Sequence, residues 1–293
     1  MLTGNDGVIL RMVWGFSFWF CLFVGIFWVA HRPNVNSHFG IMDLSGFWKD
    51  RTHWYASWFP NFNEEAKPVS HVHAFPHWDW NDGDAVDIWA FSNAATVQLE
   101  VNGKVVGAPA KQAMPQYGHV TWSKVPFASG SYTVTGYDAS GAVVGTKTVA
   151  STTAPATIKA SIKDGVGATL YAGCGDMALV QVEVLDAAGN LISDPDNALS
   201  PNITFTVSGT ATAWVEGTGN GDPSCLVNNK SPTRPAYHGL ALALIGSGDA
   251  TGTITVTASA AGMKPSSTTI VVKAQDTTAA DFNTKWCIQE PKW

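Results

Sequence analysis

Apolar and polar residues alternate with a period of two along much of the chain after residue 85. That spacing sends successive side chains to opposite faces of a strand. VDIWAF (86–91), TVQLEV (96–101) and KVVG (104–107) are three such runs, and Asn102-Gly103 joins the last two. An Asn-Gly pair between alternating runs supplies the positive φ angles of a tight hairpin turn. SYTVTGYDASGAVVGTKTV (131–149) repeats the scheme around Ala139-Ser140-Gly141. A sandwich of short antiparallel strands is therefore predicted from Trp54 to Ser151.

The stretch STTAPAT (151–157) has neither period and reads as a linker. Beyond it, MALVQVEVLDAAGNLI (177–192) alternates and then turns at Ala187 to Asn190, followed by NITFTVSG (202–209), GTITVTASAAG (252–262) and TTIVVKA (268–274). Turn signals about 8 to 12 residues apart predict a second sandwich, of immunoglobulin type, over 152–274. The fold class is thus all-β, two immunoglobulin-like antiparallel sandwiches in tandem. The tail 275–293 shows no period.

The amino terminus follows another pattern. Met12 to Ala30 is a run of 19 uncharged residues between Arg11 and His31-Arg32, and about 20 apolar residues span a bilayer core. It is too long and aromatic for a signal-peptide core, and no small-residue cleavage site follows. Residues 1–32 are expected to form an apolar, helical membrane anchor, so the chain is expected to be membrane-anchored or secreted. The competing reading is a buried element of a larger domain or an altered upstream reading frame. The sequons at Asn202 and Asn229 fit a secretory route.

Composition sharpens this picture. Gly (28) and Pro (15) are spread throughout, as short strands joined by tight turns require. The formal charge of -6 comes with no basic cluster that could track a phosphate backbone, which excludes nucleic acid as a partner. Cys21, Cys174, Cys225 and Cys287 lack the close paired spacing of a metal site. Cys174 and Cys225 fall in one predicted sandwich and could pair, but two buried thiols are the preferred expectation. Of 13 Trp and 8 His, most of the His and many of the Trp lie between residues 31 and 119.

That region carries a resemblance. HFGIMDLSGF (38–47), then Lys49-Asp50-Arg51, resembles the stretch leading out of the catalytic barrel in glycoside hydrolase family 2, with Trp48 where the family usually has Pro. HAFPHWDW (73–80), VDIWAFSN (86–93), VQLEVNGK (97–104) and HVTW (119–122) are similar, in order and spacing, to the accessory domain after the barrel. Gly219-Asn220-Gly221-Asp222-Pro223 and His238-Gly239-Leu240-Ala241 resemble the family's final immunoglobulin-like domain. The resemblance covers about Pro33 to Val272. It implies that 33–53 is a remnant of the barrel exit and that 54–151 is the accessory domain.

The resemblance, to β-galactosidase-like members, further implies that the catalytic barrel is absent from this chain. Retaining glycosidases use two carboxyl groups about 5 to 5.5 Å apart, and in this family both are barrel glutamates upstream of the matching segments. Glu64, Glu65, Glu100, Glu183, Glu216 and Glu290 match no catalytic motif of the family. No catalytic residue, cofactor or metal is therefore expected. His71, His73 and His77 with Asp79, Asp82, Asp84 and Asp87 could be metal ligands by type, but packing and a turn at 81–84 explain them better. Trp78, Trp80, Trp89 and His77 are the candidate residues for carbohydrate binding or for the seam with a barrel. Core packing is the third reading of these rings. The expected partners are the missing barrel or a carbohydrate. The alternative function is a membrane-anchored or secreted module that binds glycans or proteins.

Overall fold

The computed structural model describes residues 39–59, 70–163, 167–193 and 199–274. The apolar run 12–30, the Glu64-Glu65 pair and the tail 275–293 lie outside the described residues. Among those described, no helix is long and apolar enough to cross a membrane.

The first half runs α1 (Asp50–Trp58), β1 (Val72–Phe75), β2 (Ala85–Ser92), β3 (Thr96–Val101), β4 (Lys104–Ala113), β5 (Val120–Pro126), β6 (Ser131–Tyr137) and β7 (Val143–Ala150). These strands form two antiparallel sheets, ordered β1-β2-β5 and β4-β3-β6-β7. The alternating runs fix which face is inward. Val86, Ile88 and Ala90 of β2 meet Val97 and Leu99 of β3 and Val134 of β6 in one core. Asn102 and Gly103 take φ of 48° and 75° between β3 and β4, the left-handed pair that this hairpin requires.

Helix α1 was not legible as a helix. It crosses position 53/54, where the first sandwich was expected to begin. Its buried residues are Thr52 and Ser57, so no apolar period marks it. The Thr52 hydroxyl donates to the Ile41 carbonyl, and Ser57 donates to the carbonyl of His53 at 2.8 Å. Asp50 in the first turn complements the positive end of the helix dipole.

The second half contains β8 (Thr157–Ile162), β9 (Thr169–Tyr171), β10 (Met177–Leu185), β11 (Asn202–Gly209), β12 (Ala213–Gly219), β13 (Thr233–Pro235), β14 (Leu240–Ser247), β15 (Gly252–Ser259) and β16 (Ser266–Lys273). They form sheets ordered β12-β14-β10-β8 and β13-β11-β15-β16-β9. All pairs are antiparallel except β9 with β16. Val180, Val182 and Ile245 from one sheet and Phe205, Ile254 and Val256 from the other share a second core.

The STTAPAT stretch contains no strand before Thr157, but it is pinned. Ser151 Oγ donates to the Trp78 carbonyl at 2.6 Å. The Asp79 carboxylate accepts from the Thr152 N–H at 2.6 Å, the Thr152 hydroxyl at 3.0 Å and the Ser193 hydroxyl at 3.1 Å. The Thr153 N–H bonds to buried Asp186 at 3.2 Å.

The cysteine expectation needs correction. Cys174 is disulfide-bonded rather than a buried thiol, and its bond is not to Cys225. The sequon residue Asn229 accepts a 3.0 Å bond from buried Arg234 through its amide oxygen, which gives it a structural task.

Candidate functional site

Alternation on β1 and β2 turns His73, Phe75, Trp89 and Phe91 away from the core, onto the outer face of sheet β1-β2-β5. Their rings touch in sequence. Phe75 lies 6.0 Å from Trp89 and 5.1 Å from Phe91, and Trp89 stacks on His119 at 4.4 Å. At the β1 edge the surface continues into α1. His53 stacks on His73 at 3.7 Å and on His71 at 5.2 Å, while Trp48 meets His53 edge-on at 5.3 Å. His53 Nδ1 and His71 Nε2 share a hydrogen bond of 3.1 Å, and His73 Nε2 donates to Asp50 at 2.8 Å.

Three imidazoles this close cannot all carry charge. Burial, followed by repulsion from His73, lowers His53 to about 3 and His71 to about 4. The two rings are neutral at neutral pH and act as packing groups with one hydrogen bond between them.

The segment before α1 is shaped with similar economy. Asp43 Oδ1 accepts the N–H groups of Ser45 at 2.8 Å and Phe47 at 2.9 Å, while Gly46 takes a φ of 73°. The resulting turn presses on the Gly219-Asn220-Gly221 backbone. A Cβ on Gly219 would stand 2.7 Å from Ser45 Oγ, and one on Gly221 would collide with the Asp43 carboxylate. Two motifs far apart in sequence thus meet at backbone distance, and glycine is what permits it.

The four candidate ring residues separate. Trp78 is fully buried between Phe127 and Tyr132, and its indole N–H donates to the Ala128 carbonyl at 3.0 Å. It belongs to the core and can bind neither a sugar nor a neighbouring domain. Trp80 is 40% exposed and stacks on His77 at 4.6 Å, with its N–H on the His77 carbonyl at 2.9 Å. His77 Nδ1 accepts the Asp79 N–H at 3.2 Å, and burial lowers its pKa against the opposing pull of Asp79. Trp89 lies on the outer aromatic face, apart from the other three.

The acidic residues nearby have separate tasks. Asp84 accepts the Asn81 N–H at 2.9 Å, Asp87 accepts the Lys124 N–H at 2.7 Å, and Asp79 holds Thr152. Among the described residues no three His, Cys, Asp or Glu are grouped to hold a metal ion. The described glutamates are dispersed as well. Glu100 on β3 accepts from Gln98 at 3.0 Å, Glu183 on β10 pairs with Lys159 at 2.8 Å, and Glu216 on β12 pairs with Lys230. Glu183 and Glu216 lie on either side of β14 and several positions apart along it. At ordinary strand spacings their Cα atoms are roughly 15–20 Å apart.

His53 and Trp48 complete the aromatic surface; no motif marks His53, and Trp48 stands out in sequence only as a replacement for Pro. The helix that carries His53 has a polar buried side, so its register was not readable beforehand.

The chain is similar to known proteins along most of its length. A family profile described as glycoside hydrolase family 2 C-terminal domain 5 matches residues 167–269. One described as a domain of unknown function (DUF4982) matches residues 83–145. The chain is 35% identical to beta-galactosidase BoGH2A of Bacteroides ovatus over 266 residues, covering 90% of this chain and 28% of that protein. It is 31% identical to a beta-glucuronidase of Formosa agariphila over 205 residues, covering 70% of this chain and 20% of that one. The crystal structure of a beta-glycosidase from Bacteroides vulgatus shares the fold, with a TM-score of 0.70 at 21% identity over 83% of this chain and 29% of that one. The chain therefore spans less than a third of the length of these relatives.

Proposed function

The chain carries the C-terminal region of glycoside hydrolase family 2, and from that premise we propose that it is the non-catalytic β-sandwich portion of a β-galactosidase-like enzyme. In this reading it takes part in carbohydrate metabolism but does not hydrolyse glycosides by itself. Its halves are two immunoglobulin-like sandwiches, one over 54–151 and one over 152–274. The observation that carries the proposal is the dispersal of the glutamates among the described residues. A retaining mechanism needs two of them about 5 to 5.5 Å apart, whereas Glu100, Glu183 and Glu216 are each bonded within their own sheets.

The outer face of β1-β2-β5, with α1 laid at its edge, is the proposed seat for a catalytic domain. Apolar rings at an interface bury large areas when covered, and Trp89 and Phe91 would be covered there while Trp78 would not. The test is direct. Purified chain incubated with aryl β-galactosides is expected to show no turnover above a no-protein blank. Turnover that disappears on changing Glu100, Glu183 or Glu216 would overturn the proposal.

A further inference from the structure

We infer that Trp214, on β12, is a stacking platform for neutral pyranose polysaccharides. Three features build it. Trp214 is 43% exposed and stands opposite Gly246 of β14. A Cβ at Gly246 would come within 2.7 Å of indole Cε2 and 2.9 Å of Nε1, so the ring lies flat against the β14 backbone. The indole N–H donates to Glu216 Oε2 at 2.7 Å, and Glu216 Oε1 in turn accepts from Lys230.

Each feature has a consequence. The glycine beneath and the hydrogen bond at the edge hold the indole in one orientation, so little side-chain freedom remains to be lost on binding. Glu216 is the extra residue of a bulge between Val215 and Gly217, a device that re-aims side chains and recurs beside binding sites. The bulge places a carboxylate and, through it, an ammonium at the rim of an exposed ring. The Lys230 side chain is 70% exposed, and one of its three donors is used by Glu216.

A pyranose has an apolar C–H face and a rim of hydroxyls. The face fits a fixed indole, and the rim fits donors and acceptors beside it. A ring whose edge carries a compensated ion pair favours a neutral sugar over a polyanion, because Glu216 faces the same ligand. A purely apolar partner would instead have to desolvate that pair. The platform lies on sheet β12-β14-β10-β8, so its function does not depend on the proposed seat on β1-β2-β5.

The test is affinity electrophoresis of the full chain through native gels containing β-1,4-galactan, a mixed-linkage β-glucan or polygalacturonate. Trp214→Ala, Trp214→Phe and Gly246→Ala variants are run beside it. The expected result is retardation by at least one neutral polymer and none by polygalacturonate. Retardation falls about tenfold in Trp214→Ala, falls partly in Gly246→Ala, and persists in Trp214→Phe. Thermal melts confirm that each variant is folded. Absence of retardation in every gel, equal retardation of wild type and Trp214→Ala, or retardation by polygalacturonate alone would overturn the inference. So would self-association in sedimentation that Trp214→Ala abolishes without any polymer binding, since the surface would then belong to a second copy of the chain.

Discussion

The Asp43 carboxylate lies directly over Gly221, with no room for a Cβ between them. One oxygen of that carboxylate shapes the 43–47 turn and the other faces the glycine. Replacing Gly221 with Ala forces one of two packed backbones to move. Overpacking of this kind costs about 1–3 kcal/mol, and urea denaturation should show that loss. Gly219→Ala should cost less, because the atom it meets is the Ser45 hydroxyl, which a Ser45→Ala change removes. The double variant should recover most of the Gly219→Ala loss.

The two neighbouring tryptophans should behave oppositely. Trp78→Ala leaves a large void beside Phe127 and Tyr132 and is expected to cost about 3–5 kcal/mol. Trp80, stacked at the surface on His77, should cost under about 1 kcal/mol when truncated. Equal losses in equilibrium unfolding would contradict the placement of Trp78 in the core.

Acid should loosen the His53–His71 contact. Both groups titrate near 6.5 in an unfolded chain and at about 3 and about 4 here. Between pH 6.5 and about 4 the unfolded chain takes up protons that the folded one refuses, so stability is full above that window and falls through it as pH drops. Melting temperatures measured from pH 7.5 to 4.5 should decline, and a His71→Asn variant should decline less steeply than wild type.

Asp79 ties residue 152 to Ser193 through three accepted bonds. Loss of those bonds in Asp79→Ala should free the 151–157 stretch. Limited proteolysis is expected to cut there faster in the variant than in wild type, followed by mass spectrometry of the products. Equal cutting rates would mean that the stretch is held by something else.

The clearest strands of each half follow from alternation and turn chemistry, whereas their order within the sheets does not, because it depends on pairings between distant segments. TVQLEV is β3 residue for residue, because an inward Val97 and Leu99 and a left-handed Asn102-Gly103 leave only one register. Alternation could not reveal what covers a face. In the structure His73 and Trp89 point outward, and their partners His53 and His119 come from a helix and a loop. The Asp43–Gly221 contact was hidden for a related reason: a glycine chosen for close approach looks in sequence like one chosen for a turn. The three tryptophans grouped by neighbourhood were separated by burial, which depends on strand ends that the sequence marks poorly. Nothing in the segment of Trp214 shows that Gly246 lies opposite, because the two meet only through the pairing of β12 with β14.

The parallel pairing of β9 with β16 joins Thr169–Tyr171 to Val271–Lys273. A ribosome must therefore deliver about a hundred residues between the two partners before that ladder can close. Sequence separation of this size slows folding, and until β16 arrives both β9 and β15 present open edges to any neighbouring nascent chain. The first half waits less, since the pairings of β2 with β5 and of β3 with β6 close within 41 residues. During synthesis the longest vulnerable interval belongs to the second half, and its length is set by the rate of translation from residue 172 to residue 273.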